Sequence, residues 1–501
     1  VLVLDMLGET AVESRAFGIN NFGEVVGEVD LGAGNTRAVI WLYCPRFGLT
    51  ARLLHDLSDL ADTTGSGTVS TARDVNDAGI AVGDEEVASE RWPMIWRLPE
   101  YVPSSSTGWT ERLQPFSGSS LSGRANAVNN ESPAVVVGTA SLDVQCGLSI
   151  PRSEVAFKHT ISGSDTPLGS TNFLGGEFSN DNSKGWDVST GHPALACGEI
   201  LECGSTVSPC TGSGAFDGVT WEVLSDDVAV LSDAGTTRGA VALGINDAGQ
   251  IVGWFETGDE ACRQRAGFWE DSTAAVVDLG GVGFGPTEET YANRIGPLKS
   301  DGSVEVVGRA VIADNGILWT RDTLGTWSHL DLQDQISPLC DIDFREATDI
   351  NADGWIVGIG ERSGVEKAIL LRPLPCPADL DGDCVVGGSD LGLLLAELGF
   401  PSSDCAFDLE LDGVIDSADL GLLLANWECT CEPPCEEESE AQTLSAGSAP
   451  SLQFALLVLG FADVQAFNEW CESASEESVE AALGSLLAIL LSELDSEQVG
   501  G

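Results

Sequence analysis

A twelve-residue phrase recurs along much of this chain, and it constrains the fold more than any other feature. Its full copies are Ala16-Phe-Gly-Ile-Asn-Asn-Phe-Gly-Glu-Val-Val-Gly27, Ala72-Arg-Asp-Val-Asn-Asp-Ala-Gly-Ile-Ala-Val-Gly83, Ala242-Leu-Gly-Ile-Asn-Asp-Ala-Gly-Gln-Ile-Val-Gly253 and Ala347-Thr-Asp-Ile-Asn-Ala-Asp-Gly-Trp-Ile-Val-Gly358. Weaker copies end at Gly138, Gly198 and Gly308, giving seven copies spaced 50 to 60 residues apart. Alternating apolar residues lead into Asn-Asp-Ala-Gly or a relative, which is hairpin-turn chemistry, and Ile-Val-Gly opens a second strand. A third strand ends on a bulky residue, as in Ala38–Trp41, Met94–Trp96, Gly267–Trp269 and Ile317–Trp319. A fourth carries Asp-Leu, as in His55-Asp56-Leu57, Val277-Asp278-Leu279 and Leu330-Asp331-Leu332. Four strands per unit of about 50 residues predict one blade of a β-propeller, so residues 1–373 predict a mainly β, seven-bladed propeller. Copy seven lacks a fourth strand before the next domain, and residues 1–8, Val-Leu-Val-Leu-Asp-Met-Leu-Gly, match the missing one. Joining the ends in this way leaves no open edge.

These repeats resemble the bacterial extracellular repeats called HAF, over most of residues 1–372 and through a loose motif. The resemblance implies no particular activity.

Residues 374–431 carry a different duplication. Two twelve-residue acidic loops begin at Asp379 and Asp408, 29 residues apart, and each runs into Leu-Gly-Leu-Leu-Leu-Ala. Carboxylates at loop positions 1, 3, 5 and 12, with a backbone carbonyl at position 7, form an EF-hand-type pattern. A hard cation such as Ca²⁺ seeks six to eight oxygens, and such a loop supplies most of them. Leu391, Leu394, Leu395 and Leu398, then Leu420, Leu423, Leu424 and Trp427, fall on one face of a helix after each loop. The stretch resembles a type I dockerin module, in which a duplicated loop-helix binds two calcium ions and docks on a cohesin partner. That resemblance implies side-chain ligands Asp379, Asp381, Asp383 and Asp390, with the Val385 carbonyl, and Asp408, Glu410, Asp412 and Asp419, with the Val414 carbonyl. Asp416 at position 9 would act through water. Cys384 stands at position 6, where glycine is favoured because the turn requires φ > 0, and Gly387 leaves position 9 without an oxygen. The first site is therefore expected to be the weaker. The basic pair with which cohesin-binding dockerins contact their partner is replaced by Leu395-Ala396 and Leu424-Ala425.

The chain has 79 acidic and 23 basic residues, a net charge of −56, and its last basic residue is Arg372. Nucleic acid and anionic membranes are disfavoured as partners of such a surface. No run reaches the ~18 apolar residues of a spanning helix. The opening Val-Leu-Val-Leu-Asp has no basic n-region and reads as a mature or trimmed product. Fourteen cysteines point to an oxidising compartment, extracellular or cell-surface. Cys376 and Cys405 hold equivalent places in the duplication. Cys429, Cys431 and Cys435 form a cluster expected to make disulfides, with a soft-metal site as the alternative. Cys146, Cys197, Cys203 and Cys210 are expected to staple loops of the fourth copy.

Residues 432–451 read as an acidic, proline-containing linker. Residues 452–496 read as amphipathic helix, expected to dock on the leucine stripes or on a partner. Trp41, Trp96, Trp221, Trp269 and Trp319 recur in register and read as packing residues. Trp92, Trp109, Trp186, Trp254 and Trp327 fall outside it and are candidates to stack on glycan rings. The four histidines are scattered, with no nucleophile elbow and no phosphate-binding loop. The chain thus reads as a secreted, non-catalytic calcium-binding protein, with a recognition propeller, two structural Ca²⁺ ions, and a cohesin-like or cell-surface partner. One alternative is a polysaccharide-degrading glycoside hydrolase or its accessory subunit, for which two carboxylates should face each other in a central pocket. A purely structural cell-surface component is the other.

Overall fold

The computed structural model describes residues 1–4, 13–32, 34–44, 48–54, 69–87, 90–98, 109–113, 123–142, 153–161, 169–173, 182–190, 194–201, 217–223, 228–231, 239–257, 263–285, 287–374, 376–381, 383–398 and 405–430. Seven four-stranded antiparallel sheets form seven blades. Their first strands are Glu13–Ile19, Val69–Val75, Gly123–Val128, Asn182–Val188, Ala240–Ile245, Thr290–Ile295 and Ile342–Ile350. The seventh blade continues through Ile356–Arg362 and Val365–Leu371, and Leu2–Leu4 supplies its outer strand, pairing Leu2 with Leu370 and Leu4 with Ala368.

The recurring glycine has one cause in all seven blades. Each first strand carries a bulge, so two of its residues oppose one on the second strand. The bulge drives a first-strand carbonyl against the second strand at the closing glycine. A Cβ on Gly27, Gly83, Gly198, Gly253 or Gly308 would lie 1.9 Å from that oxygen, and on Gly138 or Gly358 2.1 Å from it. No side chain fits there.

The recurring asparagine has a cause as well. Within its own turn the Asn76 Oδ1 accepts the N–H groups of Ala78 and Ile80, closing the hairpin. Its Nδ2 donates across the blade boundary to the Asn129 carbonyl at 2.8 Å. Asn20 donates likewise to the Asn76 carbonyl, Asn129 to Ser189, Asn246 to Gly296 and Asn351 to Asn20. The motif thus encodes the turn and the joint between blades with one amide.

The cores lie between neighbouring blades. Trp41, Trp96, Trp221, Trp269 and Trp319 are at most 1% exposed. Each removes on the order of 200 Å² from water, about 5 kcal/mol of gross transfer free energy. At the seam between the chain's ends, Trp41 packs with Leu4, Ala16, Val357 and Leu370. The seam is further tied by Ala368 N–H to Ser14 Oγ at 3.0 Å and by the Arg15–Glu366 ion pair.

Two details differ from the sequence reading. Asp278 and Asp331 end their strands and cap short 3-10 turns, with their side chains accepting from Gly281 and Gln333. In blade one the fourth strand is Gly48–Leu53, while His55-Asp56-Leu57 lies outside the described residues. Cys197 is a free, fully buried thiol in Leu195–Leu201, not a loop staple, because its side chain points into the inter-blade core. Cys146, Cys203 and Cys210 lie outside the described residues.

After the propeller come helices α1 (Gly388–Glu397) and α2 (Ser417–Ala425). Leu394 and Leu423 are fully buried against each other with Cys376, Ala378, Val386 and Ile415. The expected stripes are only half used: Leu395, Leu424 and Trp427 are 49%, 52% and 41% exposed. The loops themselves fill the small core, leaving these side chains outside it. Cys376 pairs with Cys429, which removes Cys429 from the expected cluster, and Cys340 pairs with Cys405. Cys431 and Cys435, the linker and the C-terminal helical stretch lie outside the described residues.

Candidate functional site

The two acidic loops share one hydrogen-bonded frame. At position 12, Asp390 is fully buried and accepts the N–H groups of Leu380, Asp381 and Gly387. Asp419 is likewise fully buried and accepts from Leu409, Glu410 and Asp416. A buried carboxylate needs such partners, and in supplying them each loop wraps around its last residue. Asp379 accepts from Cys384 N–H and Asp408 from Gly413 N–H, both at position 6. Asp383 and Asp412 accept from Val385 and Val414, at 2.8 Å in each loop.

This frame brings carboxylates together. Oxygens of Asp379, Asp381 and Asp383 lie within 4.8 Å of one another, as do those of Glu410, Asp416 and Asp419. Two acidic clusters able to hold metal ions therefore exist. Val385 and Val414, whose carbonyls belong to the pattern, are exposed at 45% and 52%. Desolvation, then the charges of Asp412, Asp419, Asp416 and Asp408, push the Glu410 carboxyl above its ordinary value. Unneutralised, the cluster repels itself, which is the donor set a hard cation suits. Cys384 has φ +66° and Gly413 φ +89°, so the first loop places a non-glycine residue in the left-handed region that the second reserves for glycine.

Sequence reasoning missed how the second loop meets the propeller. Ser337 Oγ donates to Asp408 Oδ2 across the boundary, Leu339 packs on the module core, and Cys340–Cys405 makes the joint covalent. A cleft of about 500 Å³ opens beside this joint, lined by Asp334, Pro338, Asp343, Glu361 and Leu411 among others. Its Glu361 pairs with Arg345 at 2.6 Å. A propeller serine far from the loops in sequence left no signal.

A second pocket, of about 170 Å³, is built by the bulges. The extra residue of each blade in turn is Phe17, Arg73, Asn126, Trp186, Leu243, Asn293 and Thr348, and all seven line it. One contribution per blade places the pocket on the propeller axis. Among the described side chains, Trp186 is the off-register tryptophan that lines it. The residue after each bulge is Gly18, Asp74, Ala127, Asp187, Gly244, Arg294 or Asp349. Asp74 spans to Val128 N–H at 2.8 Å, Asp187 to Ile245 and Asp349 to Ile19, each at 2.9 Å and each in the next blade. Those next blades carry Ala127, Gly244 and Gly18 at the same place, which leaves room for the crossing. Arg294 lies 3.2 Å from Asp187 and 3.9 Å from Asp349, and donates to the Leu243 carbonyl. Burial pushes Asp74 up to about 7 and Asp349 up to about 6, against the pull of Arg294. A carboxylate repeated within an apolar strand is the signal the sequence offers for this cluster.

Among the described residues Glu346 is the carboxylate lining the axial pocket, and it is held by Asn293 at 3.0 Å and Arg309 at 3.3 Å. Among the described residues, those lining the pocket form no facing pair of carboxylates.

No family model matches the chain, and no curated protein matches it. Among solved structures, the β-propeller domain of the Trilobed protease from Pyrococcus furiosus is similar at TM-score 0.38 and 8% identity, covering 72% of this chain and 93% of that one. TolB from Acinetobacter baumannii is similar at TM-score 0.29 and 11% identity, covering 68% and 77%. The blade count rests on the strand order of this chain itself.

Proposed function

We propose that this is a secreted or cell-surface calcium-binding protein, whose propeller is a recognition surface and whose dockerin-like module serves attachment or assembly. The observation that carries the reading is the pair of matched acidic loops, each gathering three carboxylates within 4.8 Å in one frame of backbone donors. Asp379, Asp381, Asp383, Asp390 and the Val385 carbonyl would hold one ion. Glu410, Asp412, Asp416, Asp419, Asp408 and the Val414 carbonyl would hold the other. A bound Ca²⁺ supplies charge neutralisation, so that binding and ordering of the loops are linked. Two disulfides support an oxidising compartment. Among the described residues no helix is long and apolar enough to cross a membrane. Leu393, Leu395, Leu422, Leu424 and Trp427 are exposed on the module and support docking to a cohesin-like or cell-surface protein.

The test is calorimetric titration of Ca²⁺ into the intact protein after EGTA and dialysis. Two sites are expected, with Asp381→Ala removing one and Asp416→Ala weakening the other. Cys384→Gly should tighten the first site about fivefold, since a left-handed non-glycine residue costs about 1 kcal/mol. Absence of any calcium heat, with an unfolding temperature indifferent to EGTA, would overturn the calcium reading. Pull-down with the intact protein from envelope and secreted fractions, with Ca²⁺ or EGTA, tests attachment: a partner retained only with calcium is expected, and equal retention in EGTA counts against it.

A further inference from the structure

We infer that the axial pocket is a binding site for one neutral pyranose ring, such as the exposed end of a glycan. The inference rests on the propeller being the recognition surface and names what that surface takes.

Three observations carry it. The first is how variation is distributed within this one chain. Around each bulge the frame is constant: alanine before it in six blades and glycine in one, then isoleucine or valine two residues after it. The bulge residue itself takes six identities over the seven blades, asparagine alone recurring, and spans aromatic, aliphatic, cationic, amide and hydroxyl chemistry. A bulge re-aims a side chain and ends regular pairing. Packing alone would reuse one residue seven times, as it does with the closing glycine, whereas a site built for a ligand of lower symmetry requires different ones.

The second is the order around the ring. Phe17 in blade one stands across the axis from Trp186 and Leu243 in the adjacent blades four and five. Arg73 and Asn126 occupy one flank, Asn293 and Thr348 the other. This gives a slot with apolar walls and polar sides. A pyranose has the same anatomy, two largely C–H faces and a rim of hydroxyls that donate and accept.

The third is an unmet demand for hydrogen bonds. Asn126 is 4% exposed; its Nδ2 donates to the Gly185 carbonyl at 2.7 Å, while its Oδ1 has no partner. The Trp186 Nε1 is buried and also without a partner. Both residues line the pocket with these atoms turned from it, and a hydroxyl, which donates and accepts, would satisfy them once the side chains turn toward it. The cations are already committed, Arg73 to Asp84 at 2.8 Å and Arg294 to Asp187 and Asp349. With Glu346 on the wall, an acidic sugar finds no free positive charge. The volume, about 170 Å³, is that of about six waters in the liquid. It suits one ring, with any further rings of a glycan lying outside the pocket.

The test is saturation-transfer NMR on the intact protein with the methyl glycosides of glucose, galactose, mannose and xylose, and with glucuronate. At least one neutral glycoside should show transfer at millimolar concentration, with glucuronate weaker. Trp186→Ala should weaken binding about tenfold, the loss of an aromatic contact. Trp186→Phe keeps the ring and lacks the N–H, and should weaken it about threefold; this milder variant decides the matter if the alanine variant fails to fold. Trp254→Ala, at an off-register tryptophan packed on Tyr291 outside the pocket, should leave binding unchanged. Transfer from no neutral glycoside overturns the inference, as would a pocket that binds only water. Transfer that survives at Trp186→Ala but fails at Trp254→Ala overturns the axial site while leaving the propeller a recognition surface.

Discussion

Asp74 shows how the axis couples chemistry to stability. Burial, then the charges of Asp349 and Asp187, raise its carboxyl from 3.8 to about 7. The folded chain therefore keeps a proton that the unfolded chain releases, so this contribution to stability is complete below about pH 4 and is lost as pH rises toward 7. Asp74→Asn removes the titration. The variant also gives up one N–H acceptor, Val75 or Val128, a pH-independent cost of about 1 kcal/mol. Relative to the parent, it should gain about 3–4 kcal/mol between pH 4 and pH 8, read from urea melts at saturating Ca²⁺. A difference that stays flat across that range would show that Asp74 is ionised throughout. Gly253 makes the complementary case in packing. A methyl there would sit 1.9 Å from the Val241 carbonyl, so Gly253→Ala should cost about 3 kcal/mol, or more, in a denaturant melt.

At the scale of elements, much was legible because the repeat makes each blade report seven times. Asparagine, glycine and the in-register tryptophans each answer one local demand, so their spacing carried the blade count. The loops were legible for a similar reason, since Asp379 to Asp390 and Asp408 to Asp419 place acids at matching positions. What did not show was anything joining elements remote in sequence. Ser337 and Cys340 lie in a connection between blades six and seven and look like ordinary loop residues. Asp74, Asp187 and Asp349 acquire meaning only when the ring brings them around Arg294. The Cys340–Cys405 bridge closes a separation of 65 residues. Replacing both cysteines with serine should cost about 2–4 kcal/mol, measured as a shift in the denaturation midpoint, and should weaken calcium binding at the second loop more than at the first. Equal weakening at both would separate the bridge from the site beside it.

At the scale of the molecule, closure is the decisive act. Leu2–Leu4 completes the seventh blade, and Leu4 is fully buried at the seam. Removing residues 1–4 should cost at least about 2 kcal/mol and expose the edge of Val365–Leu371 to other chains. Light scattering should then report more concentration-dependent association than in the parent; a variant that scatters as the parent does, with an unchanged melt, would mean the seam is held elsewhere. The bridge at Cys340 has a mechanical meaning as well. If the module is the attachment device proposed above, a load on the protein enters through it. Tension arriving through Cys405 passes into Cys340, ahead of the whole seventh blade, and leaves that blade as slack in the line. Under the proposed attachment through the module, the three-residue pairing that shuts the ring would be shielded from the pull.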